Sequence, residues 1–235
     1  MKIEIWSDYV CPFCYIGKRT LEQALQKSGF KDQAEIIFKA YQLDPDVPVG
    51  SDVPVYAHLA KKMGTNIERA KETANGVVQH AQSVGLEFDF DRMVQANTVA
   101  AHRLTKWAET HGKGSALTER LLHAYFVEAR NVGSDEVLMD VTAEAGLCTE
   151  GARKVLDSDQ FQAEVERDIA EAVQIGVQGV PFFVVNNKYA ISGAQPLEAF
   201  VDALNQIAEE EGIRPKLKPL GKKPTSYCSG DSCDG

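Results

Sequence analysis

The chain has 235 residues, 44% of them hydrophobic and 25% charged, so it can bury a sizeable core. Its formal net charge of −9 argues against a nucleic-acid partner, because phosphate binding requires clustered lysine and arginine. No segment approaches the roughly 20 apolar residues of a membrane span. The opening residues lack the features of a secretory leader, so we expect a cytoplasmic protein without a membrane partner.

The first predicted elements form a strand–helix–strand unit. Residues 2–6 are predicted as a buried strand, and Pro12 stands where a helix can begin without losing a hydrogen bond. Apolar residues at helical spacing extend this helix to about residue 27. Residues 34–41 are predicted as a second strand, and the loop after it is rich in proline, glycine and aspartate.

The middle of the chain is predicted to be helical almost throughout. We expect helix N-caps at Asn97, Ser134 and Asp159, because their side chains can accept hydrogen bonds from the first turn. Glycines at the ends of the apolar patterns mark the predicted helix ends. The predicted helices cover residues 54–63, 66–83, 97–111, 115–129, 135–145 and 159–175.

β-Structure is predicted again near the end. Residues 180–185 and 188–191 form a predicted hairpin, a helix follows over 196–208, and the tail has a flexible composition. Neither β-containing end can bury its own faces, so we predict one α/β layer built from both. The expected boundaries are 1–45 and 177–210 for this layer, 46–176 for a helical insertion, and 211–235 for the tail.

The five cysteines are the candidate functional residues. Cys11 is predicted just before the first helical turn, where unpaired N–H groups and the helix dipole favour an anion such as a thiolate. Cys14, three residues on, can displace a partner from a mixed disulfide with Cys11. We therefore predict Cys11 as the nucleophile and Cys14 as the more buried resolving thiol. Structural or zinc-binding thiols are the alternatives; zinc requires four ligands, and the other pair, Cys228 and Cys233, lies in the tail.

Three segments together resemble a known family. Residues 5–17 (IWSDYVCPFCYIG) resemble the opening of DsbA-family thioredoxin-fold proteins, in particular the FrnE-like subgroup. Residues 179–183 (GVPFF) resemble the family's cis-proline loop, and residues 101–104 (AHRL) resemble part of its helical insertion. The resemblance implies an α/β, thioredoxin-like fold interrupted by a large all-helical insertion.

The resemblance also implies site residues. It implies a cis bond between Val180 and Pro181, which directs the Val180 backbone toward the dithiol, where it could pair with an extended substrate chain. Pro181 would then belong to the catalytic site with the two cysteines. Phe13 and Pro12 would join Val180 in contacting substrate.

The implied activity is thiol–disulfide exchange. We expect an oxidoreductase or isomerase acting on protein thiols, with no metal and no cofactor beyond its own redox-active disulfide. Glutathione or thioredoxin are the candidate redox partners. Two alternatives stay open: a glutathione-dependent isomerase or transferase of the kappa-like type, whose members carry serine at the position of Cys11, and a holdase chaperone that uses the insertion.

This sequence departs from the DsbA pattern in two ways. The central dipeptide lacks the histidine that DsbA-type members can carry, and Ile5 matches the strand position where they carry a buried acid. The dithiol is therefore expected to be less oxidising than that of DsbA. We interpret Asp8, the nearest acid, as a turn or capping residue rather than a proton relay.

The remaining candidates receive more ordinary interpretations. Cys228 and Cys233 resemble a C-terminal pair of FrnE-like proteins and are an accessory redox pair or an adventitious disulfide. Cys148 is expected to be a buried apolar residue. His102 and Arg103 are expected to be structural. Five aromatic residues could frame an apolar surface around the dithiol: Tyr9, Phe13, Tyr15, Phe182 and Phe183. The last two are equally well explained as core residues of the predicted strand.

Overall fold

A computed structural model describes residues 1–215 and the backbone of residues 227–229 and 232–234. Strand β1 (Lys2–Ser7), helix α1 (Pro12–Ser28) and strand β2 (Glu35–Ala40) form the first unit, with β1 and β2 parallel. Strand β3 (Phe182–Val185) pairs antiparallel with β1, and β4 (Tyr189–Ser192) pairs antiparallel with β3. The sheet order is β2-β1-β3-β4, and α9 (Leu197–Glu210) follows it. The two ends of the chain thus build one sheet, as predicted.

Seven helices lie between β2 and β3, a region where every residue is described. The fold is therefore a mixed α/β, thioredoxin-like sheet with a large helical insertion. The helices are α2 (Val55–Met63), α3 (Ile67–Ser83), α4 (Val99–Glu109), α5 (Gly114–Phe126), α6 (Asp135–Glu144), α7 (Thr149–Leu156) and α8 (Gln162–Gln174).

The helix boundaries correct several predictions. Helix α7 was not predicted; it is short, with 8 residues, and contains a glycine, Gly151. Ser134 is the N-cap of α6, as expected, but its side chain makes no capping hydrogen bond. The N-caps of α4 and α8 are Thr98 and Phe161, so the predictions of Asn97 and Asp159 were each wrong.

Helix α1 is buried on two sides. Leu21 and Leu25 pack with the sheet and α9, whereas Tyr15 and Ile16 join the core of the insertion. Burial of each such side chain contributes about 1.5–3 kcal/mol relative to exposure. The first half of α1, which carries the dithiol, is therefore held between the sheet and the insertion.

An ionic network also connects α1 to the insertion. Glu119 of α5 accepts hydrogen bonds from the hydroxyl of Tyr15 at 2.7 Å, from Arg19 at 2.8 Å and from Lys18. Burial alone would raise the pKa of Glu119, but the Lys18 ammonium, the Tyr15 hydroxyl and Arg19 outweigh it and lower that pKa to about 2. The carboxylate is therefore ionised in the folded protein at neutral pH.

Two further observations concern the chain as a whole. None of the helices in the described residues is long and apolar enough to cross a membrane. In the tail, strands β5 (Tyr227–Ser229) and β6 (Ser232–Asp234) are antiparallel, with Cys228 opposite Cys233 in the register. The side chains of these two cysteines lie outside the described part of the structure, so the predicted accessory redox pair stays a prediction.

Candidate active site

The dithiol occupies the first turn of α1. Cys11 is the N-cap residue, with an extended backbone, and Pro12 is the first helical residue. The Cys11 N–H donates to the carbonyl of Asp8 at 3.1 Å, and the Cys14 N–H donates to the carbonyl of Cys11 at 3.0 Å. Both thiols are free. The turn therefore places both sulfurs at the helix end where unpaired N–H groups favour negative charge.

Both thiols are buried, and their surroundings differ. Cys11 is 4% exposed and Cys14 is 2% exposed. Burial raises the pKa of the Cys14 thiol well above its ordinary value, and its interaction with Cys11 raises it further. Hydrogen bonds from the Ser7 hydroxyl and the Asp8 N–H oppose this change only in part. Cys14 is thus protonated at neutral pH and must lose its proton before it can attack a disulfide.

The loop before β3 faces Cys11. The peptide bond between Val180 and Pro181 is cis, which confirms the prediction. The Cys11 thiol donates to the carbonyl of Val180, with Sγ 3.4 Å from the oxygen. The Val180 backbone therefore points toward the dithiol, as expected.

Gly17 of α1 allows this loop to approach the helix. A Cβ atom at Gly17 would lie 3.0 Å from Cγ of Pro181 and 3.2 Å from Cζ of Phe183. Any larger residue would therefore push Pro181 away from α1. Sequence reasoning missed this role, although a glycine inside a helical pattern was a signal for close packing.

The inner side of the dithiol is closed and polar. The carboxylate of Asp8, 1% exposed, accepts a hydrogen bond from the Leu43 N–H at 2.8 Å and lies 3.4 Å from Nε2 of His102. The ring of His102 packs on Tyr9 with centroids 4.7 Å apart. Asp8 does take part in a turn, as predicted, through its carbonyl bond to Cys11. The pairing of its carboxylate with His102 was not predicted.

The outer side of the dithiol opens into an apolar cleft. This Pro12 cleft, between the loop after β2 and helix α2, has a volume of about 160 Å³. Asp44, His58, Lys62 and Gln95 supply its polar groups. Its apolar walls are Val10, Pro12, Leu43, Val47, Val55, Leu59, Ala96 and Tyr125. The cleft begins at Pro12, beside the dithiol, and could accept an apolar group.

Other predicted residues have mixed outcomes. Of the five aromatic residues proposed around the dithiol, Phe13 is 41% exposed, whereas Tyr9, Tyr15 and Phe183 are buried core residues. The prediction of a shared aromatic surface was therefore wrong for Tyr9 and Tyr15, and the alternative of a core strand residue is confirmed for Phe183.

Cys148 and Arg103 lie away from the dithiol. Cys148 is exposed at the N-cap of α7, so the prediction of a buried thiol was wrong. Arg103 donates to the carbonyls of Val155, Ser158 and Gln160, which supports its structural interpretation. In the described residues, no three His, Cys, Asp or Glu side chains are grouped as metal ligands would be.

Comparisons with known proteins agree with this geometry. The sequence model of the DSBA-like thioredoxin domain family matches residues 2–205. A crystal structure of a probable DsbA oxidoreductase from Streptomyces coelicolor is 34% identical, with a TM-score of 0.84, and the match covers 100% of this chain and 99% of that one.

Two more distant proteins extend the comparison. An uncharacterized Bacillus subtilis protein, YwbO, is 25% identical over 86% of this chain and 95% of its own length. The cytosolic disulfide reductase DsbM from Pseudomonas aeruginosa, solved with GSH, is 19% identical, with a TM-score of 0.62 over 89% of this chain and 100% of its own; this likeness shows the fold alone.

Proposed function

The chain belongs to the DSBA-like thioredoxin domain family, and from this premise we propose that it catalyses thiol–disulfide exchange on protein substrates through Cys11 and Cys14. One observation carries the proposal: two free thiols share the first turn of a helix, and the first of them faces the carbonyl of Val180. A mixed disulfide formed at Cys11 would therefore lie within reach of Cys14.

The chemistry proceeds in two exchanges. The Cys11 thiolate attacks a substrate disulfide and forms a mixed disulfide, and the first substrate thiolate leaves. Cys14 then attacks Cys11, which closes the intramolecular disulfide and releases the second substrate thiolate. The second exchange is fast because both sulfurs belong to one helical turn, which gives a high effective concentration. Run in reverse, the same steps oxidise a substrate dithiol.

The substrate chain is proposed to contact three residues beside the dithiol. The free edge of the loop at Val180 can bond to an extended backbone, in the manner of strand addition. Phe13 offers an exposed ring, and Pro12 begins the apolar cleft. An apolar side chain next to the substrate cysteine would fit this cleft.

The finer assignments are also proposals. We also propose that the chain belongs to the FrnE-like subgroup and acts in the cytoplasm. Cys228 and Cys233 are proposed as an accessory pair that exchanges electrons with the dithiol, and glutathione or thioredoxin as the external partner. The proposed boundaries are 1–45 with 177–210 for the thioredoxin-like domain, 46–176 for the insertion and 211–235 for the tail.

A reductase assay on a protein disulfide tests the main proposal. We expect Cys11→Ser to abolish turnover, because it removes the nucleophile. Cys148→Ser is the matched control, since it removes an exposed thiol outside the site; it should retain full activity. Full activity in the Cys11→Ser protein would refute the mechanism.

The two alternatives give different results with the same proteins. A kappa-like glutathione-dependent enzyme would bind glutathione tightly and turn over an aromatic substrate in the Cys14→Ser protein. A holdase would suppress aggregation equally well after all four paired cysteines are replaced. The oxidoreductase proposal predicts no turnover of an aromatic substrate by the Cys14→Ser protein. It does not require that the protein suppress aggregation.

A further inference from the structure

A second cavity adjoins the Pro12 cleft. It has a volume of about 460 Å³ and lies between the loop after β2 and the second half of helix α2. We call it the Lys61 groove, because Lys61 lines this cavity and does not line the cleft. Six residues line both cavities: Leu43, Asp44, Val47, His58, Lys62 and Gln95. The cleft and the groove are therefore two parts of one depression that begins beside the dithiol.

Three of the shared residues form an ionic bridge where the cleft meets the groove. Oδ1 of Asp44 accepts a hydrogen bond from Nζ of Lys62 at 2.6 Å, and Oδ2 lies 3.1 Å from Nε2 of His58. Asp44 belongs to the loop after β2, whereas His58 and Lys62 are one turn apart on α2. This Asp44 bridge therefore joins the two walls of the depression.

The bridge is held in place from the loop side. Leu43, the residue before Asp44, donates its N–H to the buried carboxylate of Asp8 at 2.8 Å. Burial alone would raise the pKa of Asp44, but hydrogen bonds from Lys62 and His58 outweigh it and lower that pKa. The Asp44 carboxylate is thus ionised at neutral pH and ties the loop to α2.

The two cavities differ in polarity. Apolar side chains form most of the Pro12 cleft, whereas Asp46 and Lys61 add two further charges to the Lys61 groove. The bridge keeps contact with water, because the side chains of Asp44 and Lys62 are 27% and 45% exposed. A substrate side chain that filled the cleft and continued toward the groove would remove this water, which is unfavourable for charged groups.

We propose that the Asp44 bridge limits the size of the apolar side chain that the protein accepts beside the substrate cysteine. The inference rests on the proposed function and narrows its substrate class to disulfides whose cysteine neighbours a side chain such as leucine rather than tryptophan. Asp44 acts on the shape of the binding cleft, so it is a specificity-determining residue and not a catalytic one.

Peptides of graded size test this limit. Each peptide carries one cysteine in a mixed disulfide with thionitrobenzoate, with valine, leucine or tryptophan before the cysteine in one set and after it in a second. The protein has Cys148, Cys228 and Cys233 replaced by serine, so that Cys11 and Cys14 are its reacting thiols. The rate constant of thionitrobenzoate release under single-turnover conditions measures binding and attack together.

The expected result is a size preference that depends on Asp44. In the set whose rates also fall with Leu59→Gln, which identifies the residue that enters the cleft, the parent should react about 10-fold more slowly with the tryptophan peptide than with the leucine peptide. Asp44→Ala opens the cleft into the groove, so it should bring this ratio close to one while the rate with the valine peptide stays unchanged.

Asp46→Ala is the matched control. It removes a carboxylate from the same loop and the same groove, but Asp46 forms no ion pair with any residue that the structure describes. Its leucine-to-tryptophan ratio should equal that of the parent. If Asp44→Ala does not fold, Lys62→Ala, which removes the opposite half of the bridge, is judged by the same ratio.

The remaining outcomes separate the inference from the proposed function. A parent that reacts equally fast with all three peptides would overturn the inference, as would a ratio that Asp44→Ala leaves unchanged or that Asp46→Ala changes equally. The inference also fails if Leu59→Gln slows neither set. Release of thionitrobenzoate no faster than with free cysteine at the same pH would instead refute the proposed function.

Discussion

The two sides of the dithiol are built differently. On the inner side, Asp8 and His102 form a pair whose side chains are 1% and 5% exposed, next to the thiol that must lose a proton. On the outer side, Asp44 and His58 form a similar pair in the Pro12 cleft, with side chains 27% and 22% exposed. The same two residue types thus form one buried pair and one partly solvent-exposed pair. The two pairs therefore differ mainly in their exposure to solvent.

The largest expected effect contrasts the two aspartates. Asp8→Asn leaves Leu43 and His102 without their buried carboxylate, so we expect it to lower the free energy of unfolding by about 3 kcal/mol. Asp44→Asn, at the solvated rim, should lower it by less than about 1 kcal/mol. Urea unfolding of both proteins measures the difference. Equal losses would show that the two sides are energetically alike.

Gly17 offers the next largest effect. Gly17→Ala should lower the free energy of unfolding by about 1 kcal/mol, since its Cβ pushes Pro181 outward at a cost that exceeds the gain in helix propensity. It should also slow turnover, because Val180 moves with Pro181. Gly76→Ala in α3 is the control: nothing lies within 4 Å of its Cβ, so it should gain up to about 1 kcal/mol. Thermal unfolding measures the midpoint temperature of each variant. Midpoints that shift in the same direction in both variants would contradict the packing account.

A smaller effect tests the Pro12 cleft. Leu59→Gln places an amide in its apolar wall, so kcat/KM for a protein disulfide should fall about 5-fold. The rate with a small disulfide should be unchanged, because such a substrate does not reach the cleft. Val173→Gln replaces an exposed apolar residue that does not line the cleft and should change neither rate. Equal losses of rate with the protein disulfide and the small disulfide would argue against a role of the cleft in binding protein substrates.

The smallest effect is a pH dependence of the link between α1 and the insertion. The pKa of Glu119 is lowered in the folded protein from 4.5 to about 2, so its contribution to stability is present above pH 4.5. That contribution is lost as the pH falls from 4.5 toward 2. Because the side chain is 32% exposed, the contribution is about 1 kcal/mol. The stability difference between the parent and Glu119→Gln should therefore narrow over this range; a constant difference would contradict it.

Much of the fold could be predicted because its signals are local. Alternating and helical apolar patterns, with Pro12 at a helix start, predicted the element order and the position of the dithiol. Helix α7, of only 8 residues and with Gly151 inside it, was missed. In the structure, a Cβ there would lie 2.5 Å from the ring of Trp107, so this glycine serves packing.

The site was only partly predictable because its inner side is assembled from distant segments. Asp8 and His102 are 94 residues apart, and only the folded insertion brings them together. The same holds for the Pro12 cleft, whose walls come from α1, the loop after β2 and helix α2. The dithiol and the Val180–Pro181 bond were predicted because short motifs with family resemblance specify them.

Trapping the reaction intermediate tests the central claim most directly. The Cys14→Ser protein, mixed with a protein disulfide and then quenched and mapped by peptide mass spectrometry, should accumulate a mixed disulfide at Cys11. A mixed disulfide mainly at Cys148 or in the tail, with Cys11 still free, would contradict the assignment.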